Sequence, residues 1–214
     1  MTKWHDEVLT KKAIKTFSII APMVKDEFYL AGGTALALLL GHRISLDFDL
    51  FSQQNKLLEQ DRQQLLFRLK NNNLLVRESS SGTLHVTLNG IFISLFFYPY
   101  PLISSTSRTW QKVSIAGELD IAAMKFSAIQ GRGSRKDFID LYFLTKKFPL
   151  EVLLQAAEKK FKVQENFLIQ TCKALVYFED AEREPMPKML ASISWNDVKE
   201  FFVRETKRVV KTLF

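Results

Sequence analysis

The chain has 214 residues, of which 47% are hydrophobic and 25% charged, and this composition excludes a disordered or collagen-like protein. Its 30 Lys and Arg against 23 Asp and Glu give a formal net charge of +7, which fits either contact with a polyanion or simply a solvated surface. The longest apolar run, residues 35–40, is too short to cross a bilayer, the first residues do not resemble a signal peptide, and a lone cysteine, Cys172, excludes an internal disulfide. We therefore expect a cytoplasmic protein with no membrane contact.

The first half of the sequence mixes helical and strand patterns. Hydrophobic spacing and turn residues predict helices at 7–25, 34–40 and 56–70, and strands at 28–31, 44–51, 83–88 and 91–98. The dipeptide Asn89-Gly90 joins the last two strands and is a strong signal for a two-residue hairpin turn.

The second half is predicted to be mainly helical. Helical patterns cover residues 119–130, 134–147, 150–160, 164–178 and 195–213. Early strands followed by late helices predict an α+β protein, in which a mixed sheet with flanking helices precedes a helical region. We predict two domains: an α/β domain at 1–112, and a helical domain at 113–214 that packs against it and contributes Lys and Asp side chains to the site.

A glycine pair, Gly32-Gly33, separates the strand at 28–31 from the helix that Thr34 opens. The start of a helix presents unpaired amide hydrogens and the positive end of the helix dipole, so it can bind phosphate, and glycine permits close approach to the backbone. By itself, however, a Gly-Gly pair before a helix is just as often an ordinary turn.

Two aspartates alternate along the predicted strand at 44–51. Asp47 and Asp49 would point to the same face, with Cα atoms roughly 6.5–7 Å apart. Two such carboxylates repel each other unless a cation lies between them, and Mg²⁺ prefers oxygen ligands. An Asp-x-Asp pair alone is more often a solvated strand face. The thirteen residues 34–46 are enough for a helix that leads away from the glycine turn and a strand that leads back beside it. The glycines and aspartates would then lie at one end of the sheet.

The combination of Gly32-Gly33, a thirteen-residue spacer and Asp47-Phe48-Asp49-Leu50 resembles the signature of the DNA polymerase beta-like nucleotidyltransferases. More narrowly, residues 29–38, 41–51 and 125–144 are similar to the AbiEii/AbiGii toxin family. The resemblance implies a nucleotidyltransferase-like sheet in the first domain. It also implies transfer of a nucleoside monophosphate from an NTP, with Mg²⁺ or Mn²⁺ on Asp47 and Asp49, as an acceptor hydroxyl attacks the α-phosphorus and pyrophosphate leaves.

The block at 125–144 adds a lysine and two aspartates. Asp137 and Asp140 are three residues apart on one helical face, after a predicted turn at 131–133 and a potential cap at Ser134. The cations near this point could hold triphosphate charge, and an Asp could orient a lysine or accept a proton; alternatively, the cluster merely favours the helix dipole. The resemblance implies that Lys125, Asp137 and Asp140 are catalytic. The nucleotide-binding positions that it implies are Gly32, Gly33, Thr34, Arg43, Ser45, Arg135 and Lys136.

One position departs from the superfamily pattern. Ser94 stands where a third carboxylate is usual, and a serine hydroxyl is a poor metal ligand and a poor base. Either Asp137 or Asp140 replaces it, or the activity is restricted. The resemblance implies an RNA (tRNA-like) or protein acceptor, a place in a toxin–antitoxin or abortive-infection system, and a cognate antitoxin protein. The alternative is a catalytically decayed nucleotide- or RNA-binding protein of the same fold.

Overall fold

A computed structural model describes residues 4–104 and 108–213. The chain forms two compact units. The described part of the first unit comprises residues 4–39, 45–101 and 108–116, and that of the second comprises 40–44, 102–104 and 117–213. No helix within the described ranges combines the length and the hydropathy that a membrane span requires.

The described part of the first unit contains a seven-stranded mixed sheet. Its elements in chain order are a 3₁₀ turn (Asp6–Val8), α1 (Lys11–Val24), β1 (Tyr29–Ala31), α2 (Gly32–Leu40), β2 (Phe48–Ser52), α3 (Glu59–Leu69), β3 (Leu74–Ser80), β4 (Thr83–Leu88), β5 (Ile91–Phe97), β6 (Thr109–Trp110) and β7 (Val113–Ile115). The strands lie in the order β3-β4-β5-β2-β1-β7-β6. The β2–β5 and β1–β7 pairs are parallel, and the other pairs are antiparallel.

One face of this sheet forms the core of the first unit. Alternation along the strands sends one set of apolar side chains to this face, where all are fully buried: Leu30, Phe48, Leu50, Leu84, Ile93 and Leu95. Helix α1 covers part of the face, because the Phe17 ring lies 4.6 Å from Phe48 and 4.9 Å from Trp110, measured between centroids. The opposite face carries the alternate residues, which include Asp49.

The described part of the second unit is helical. Its elements are α4 (Glu118–Arg132), α5 (Arg135–Thr145), α6 (Leu150–Lys160), α7 (Phe167–Ala174), α8 (Glu179–Glu182) and α9 (Trp195–Leu213). Phe138 of α5 joins α9 through ring contacts with Trp195 and Phe202, at 5.9 and 5.8 Å. A buried ion pair joins α6 to α4, since Lys160 Nζ lies 2.9 Å from Asp120 Oδ1.

The predicted fold class is confirmed: a mixed sheet with helices is followed by a helical region. The hairpin is also present, with Asn89 and Gly90 at φ 50° and 76°, as a two-residue hairpin turn requires. Three strands were missed. Strand β3 is almost wholly exposed and lacks an apolar alternation, while β6 and β7 are too short to show a period.

Two predicted boundaries shift at the glycine–aspartate segment. Helix α2 begins at Gly32 and not at Thr34, so the glycines form its first turn. Strand β2 begins at Phe48, and Asp47 therefore lies just before the strand that was predicted to contain it. The reason is that the preceding backbone bonds elsewhere: the amide of Ile44 donates to the Lys188 carbonyl, and that of Ser45 donates to Val8.

The two units divide the chain differently from the predicted domains. Strand β7 pairs in parallel with β1, so the first unit extends to residue 116 and not 112. Residues 40–44, which lie within the predicted first domain, belong to the second unit. Segment 102–104 does so as well, because the Asp120 carboxylate accepts hydrogen bonds from the amides of Ile103 and Ser104.

Candidate functional site

The Asp49 carboxylate lies at the start of α2. Strands β1 and β2 pair Ala31 with Asp49, and α2 follows β1 without a loop. Gly32 has φ +66°, and a Cβ atom at this position would lie only 2.6 Å from Asp49 Oδ2. Two constraints therefore favour glycine at position 32: the positive φ angle, and the space that the Asp49 carboxylate occupies.

Thr34 fixes Asp47 to the same helix end. Its hydroxyl donates to the Asp47 carbonyl oxygen and lies 2.6 Å from Ser45 Oγ, and both hydroxyl-bearing residues are buried. Because a hydroxyl has one proton, Ser45 must be the donor to Thr34. These two side chains therefore hold the backbone of Asp47. Phosphate binding at this end would use the first backbone amides of α2, which lack intrahelical acceptors.

The donor chemistry of Asp47 and Asp49 fits a hard divalent cation. Both residues are half-buried, whereas Phe48 between them is fully buried. Within residues 4–104 and 108–213, no group of three or more His, Cys, Asp or Glu could hold a metal ion. Mg²⁺ commonly takes one or two carboxylates, several waters and substrate phosphates, so a pair of aspartates beside a helix start, which is suited to phosphate, is a suitable protein contribution.

A row of polar side chains extends from Asp49 across the sheet. The strand registers place Ser94 on β5 beside Asp49, and His85 on β4 beside Ser94. Ser94 is only 2% exposed. The His85 ring stacks on Phe92 at 5.6 Å, and its Nε2 lies 3.8 Å from a carboxylate oxygen of Glu78 on β3. His85 was not predicted as a site residue, because cross-strand register brings it to this row and no spacing in the sequence signals it.

Lys125, Asp137 and Asp140 form a buried ionic cluster in the second unit. Lys125 Nζ lies 2.7 Å from Asp137 Oδ1 and 2.6 Å from Asp140 Oδ2. Both carboxylates are fully buried, and Lys125 is 5% exposed. The spacing of three residues places both aspartates on the face of α5 that meets Lys125 of α4.

Mutual attraction keeps this cluster ionised despite its burial. Burial alone would lower the pKa of Lys125, but Asp137 and Asp140 hold that pKa above its ordinary value. Burial would likewise raise the pKa of each carboxyl. Instead, Lys125 and Arg132 lower the pKa of Asp137, and Arg43 with Lys125 lowers that of Asp140 well below its usual range.

Arg43 belongs to the same cluster. Its guanidinium binds Asp140 in a bidentate manner, with Nε 2.7 Å from Oδ1 and Nη2 2.9 Å from Oδ2, and the residue is 4% exposed. His42 Nε2 lies 2.8 Å from Asp140 Oδ1. Burial lowers the pKa of His42, although Asp140 opposes this shift, so the imidazole is neutral at pH 7. Arg43, a predicted nucleotide-binding residue, thus has Asp140 as a close partner.

The other two predicted cations of this block differ in their surroundings. Arg135 donates through Nε to the Ala181 carbonyl at 2.8 Å and through Nη2 to the Glu182 carbonyl at 3.0 Å. The Arg135 guanidinium is therefore hydrogen-bonded within the second unit. Lys136, by contrast, is exposed.

The turn before α5 is narrower than predicted. Helix α4 continues through Arg132, and the chain leaves the helical conformation at two residues, Gly133, with φ +54°, and Ser134, which is extended. Ser134 occupies the N-cap position of α5, but its hydroxyl donates to Glu184 Oε2 at 2.7 Å and does not cap the helix. The predicted capping role is therefore wrong. Arg132 Nε lies 3.0 Å from Asp137 Oδ2, which extends the ionic cluster to the surface.

Two sequence comparisons give related proteins. A family model described as "Nucleotidyl transferase AbiEii toxin, Type IV TA system" matches residues 18–75, which include the glycine pair, Asp47 and Asp49. An uncharacterized protein of Aquifex aeolicus (strain VF5) is 38% identical over 199 residues, and the alignment covers 90% of this chain and 93% of that protein.

Solved structures share the fold at low sequence identity. MenT4, a nucleotidyltransferase toxin from Mycobacterium tuberculosis H37Rv, is 11% identical with a TM-score of 0.53, and the match covers 92% of this chain and 86% of that one. ANT(2'')-Ia in complex with adenylyl-2''-tobramycin is 12% identical with a TM-score of 0.53, over 72% of this chain and 100% of that one. At these identities the likeness concerns the fold.

Proposed function

Because this chain belongs to the AbiEii nucleotidyltransferase toxin family, we propose that it transfers a nucleoside monophosphate from an NTP to an acceptor hydroxyl, with Mg²⁺ or Mn²⁺ held by Asp47 and Asp49. The observation that carries the proposal is the approach of the Asp49 carboxylate to Gly32 at the start of α2. This arrangement sets a carboxylate beside a helix end suited to phosphate. NTPs are cytoplasmic, and we expect the reaction there.

The first unit supplies the groups that meet the triphosphate. The first amides of α2 bind phosphate oxygens, while Thr34 and Ser45 keep the Asp47 backbone in place. A divalent cation on the two aspartates would polarise the phosphoryl group and neutralise charge on the triphosphate. The acceptor oxygen bonds to the α-phosphorus as the bond to the β-phosphate breaks, pyrophosphate leaves, and the hydroxyl proton passes to a base.

We further propose that Lys125, Asp137 and Asp140 of the second unit are needed for the same reaction. An ammonium has three N–H donors, and among the described residues Lys125 directs two of them to Asp137 and Asp140. In this proposal the third N–H donates to a phosphate oxygen. In this proposal Arg43 is a positioning residue that holds Asp140, while Arg135 and Lys136 attract the nucleotide electrostatically.

The family supports an NTP substrate and a protein partner, and the acceptor is a separate proposal. The description of the family as a type IV toxin supports an NTP substrate and a cognate antitoxin protein. The acceptor is proposed to be RNA or a protein hydroxyl.

The direct test is label transfer. The purified protein is incubated with each α-labelled NTP, Mg²⁺ or Mn²⁺, and total RNA or lysate. We expect transfer by the native protein and by Asp26→Asn, since Asp26 is 78% exposed, but transfer slower by about 10²–10³-fold in Asp47→Asn and Asp49→Asn. Equal transfer by all four proteins, or transfer by none, would contradict the proposal.

A second candidate function is favoured by Ser94. Since a serine lies beside Asp49 in the sheet, the protein could bind NTP without turning it over. In that case NTP binding, measured by calorimetry, would be present in a native protein that transfers no label.

A further inference from the structure

We infer that a basic cleft on the first unit binds the phosphodiester backbone of an RNA acceptor. The cleft lies between α1 and the β4–β5 hairpin turn and has a volume of about 450 Å³; its lining residues are Lys11, Lys12, Lys15, Thr16, Ile19 and Asn89. The inference rests on the proposed nucleotidyl transfer and selects RNA, not protein, as the acceptor.

The placement of the three lysines is unfavourable without an anion. All three are exposed and lie in the first five residues of α1, whose first turn has no acidic residue. The start of a helix carries the positive end of its dipole, and like charges three or four residues apart repel each other. This helix end is well formed, because Thr10 Oγ1 accepts a hydrogen bond from the Ala13 amide at 3.1 Å. A bound anion would relieve both sources of repulsion.

Carboxylates of the described residues do not neutralise these lysines. In residues 4–104 and 108–213, none of the three takes part in an ion pair. The acids that precede α1 bond elsewhere: Asp6 Oδ1 accepts from the Trp110 indole at 2.8 Å, and Glu7 Oε1 lies 2.7 Å from His5 Nδ1. The positive charge of the cleft is therefore available to an external ligand.

The hairpin turn completes the cleft. Gly90 has φ +76°, and a Cβ atom there would lie 3.1 Å from Lys12 Nζ, so the lysine rests against the turn. Asn89 and Thr16, two residues with neutral polar side chains, also line the cleft. Several cations with neutral donors along a cleft suit a row of phosphates better than a single compact anion.

The hairpin turn of the cleft is a few strand residues away from the row that contains Asp49. Strand β5 begins directly after Gly90, and its fourth residue, Ser94, is the register partner of Asp49 on β2. Four residues of strand span roughly 13 Å. Stacked nucleotides rise about 3.4 Å each, so this length corresponds to about four nucleotides. Since α1 covers the face of the sheet opposite to Asp49, an RNA strand whose backbone occupies the cleft would pass around the hairpin end of the sheet to present a hydroxyl at the candidate site.

The test compares two charge-matched triple variants. One carries Lys11→Gln, Lys12→Gln and Lys15→Gln; the control carries Lys162→Gln, Lys207→Gln and Lys211→Gln, which removes three exposed lysines from the second unit. RNA binding is measured by fluorescence anisotropy at several salt concentrations. We expect the cleft variant to bind RNA about 10–100-fold more weakly at 0.1 M salt, with a salt slope lower by about 2, since each phosphate contact contributes about 0.7 for single strands. The control should change affinity less than about 3-fold.

The same variants separate this inference from the proposed function. With RNA as acceptor, the cleft variant should raise the KM for RNA and leave kcat and NTP affinity unchanged. If the cleft variant binds RNA as the native protein does, or if both variants weaken binding equally, the inference is wrong. Label transfer to a lysate protein, unaffected by the cleft variant, would also overturn it. Failure of the proposed function is a different result, in which the native protein binds RNA but transfers no label.

Discussion

The two units use aspartate in opposite ways. Asp47 and Asp49 of the first unit are half-buried beside a helix end, whereas Asp137 and Asp140 of the second are fully buried and paired with Lys125, Arg43 and Arg132. A buried carboxylate requires such partners, because an unpaired ion in the interior costs several kcal/mol. A half-buried pair can be completed by a ligand. The first pair is therefore open to a ligand, as the proposed function requires, whereas the second pair is part of the ionic network inside the second unit.

The strongest challenge to this comparison is Asp140→Asn. The substitution removes the negative charge that Asp140 places beside the buried Arg43 and Lys125, so the free energy of unfolding should fall by about 3–5 kcal/mol. Urea unfolding measures the loss. Asp26→Asn, at an exposed site, should change stability by less than about 0.5 kcal/mol. Similar values for the two variants would mean that the buried cluster does not stabilise the protein.

Asp49→Asn should have the opposite effect, with a large loss of transfer rate and little loss of stability. Losing the carboxylate charge at the proposed nucleotide site should lower kcat by about 10²–10³-fold, the usual cost of removing one electrostatic contact in a transition state. Because the residue is half-buried, thermal unfolding should change little. Single-turnover label transfer and a melting curve on one preparation test both statements. A variant that loses stability but keeps its rate would reverse the assignment.

Gly32→Ala tests the close approach of residue 32 to the Asp49 carboxylate. The new Cβ would meet Asp49 Oδ2, and a non-glycine residue at φ +66° costs about 1–2 kcal/mol. We expect this loss of stability together with at least about 10-fold slower transfer, since the carboxylate must move. Gly131→Ala is the matched control: no heavy atom lies within 4 Å of its Cβ position, and it should stabilise α4 by about 0.5–1 kcal/mol. Normal activity in Gly32→Ala would show that this close approach is dispensable.

The smallest expected effect is a pH dependence of stability. The pKa values of Asp137 and Asp140 are lowered in the folded state, so the unfolded chain binds protons first as the pH falls. Their contribution is present above the unfolded pKa of about 3.9 and is lost as the pH falls through the folded values. The raised pKa of Lys125 acts at the other end, where its contribution is lost above about pH 10.4. Urea unfolding between pH 3 and 6 should show the acid limb in the native protein and a weaker limb in Asp140→Asn.

Local chemistry made part of the fold predictable. Asn89-Gly90 could be assigned to a hairpin because the required positive φ angles favour these residues, and Gly32 could be placed at a bend for the same reason. Strand β3 could not be assigned, because its exposed residues carry no burial signal. Asp47 was placed inside a strand because alternation does not reveal which backbone amides bond elsewhere.

The site was predictable only where its residues are near in sequence. The pair Asp47 and Asp49 is visible as a motif, and Asp137 and Asp140 share a helical face. The bidentate contact of Arg43 with Asp140 spans 97 positions, and the row from Asp49 to His85 depends on strand register. Neither is encoded in a local pattern, so tertiary packing had to supply both.

The second unit is assembled from three separate stretches of chain, and this limits how the protein can be divided. A fragment that starts at residue 117 would contain Asp140 and Asp120 but would lack His42, Arg43 and the amides of 103–104 that bind these carboxylates. Such a fragment should be unable to fold stably by itself. No single cut of the chain leaves both units complete. A recombination event at the midpoint of the gene would therefore transfer a helical unit that lacks some of its stabilising contacts.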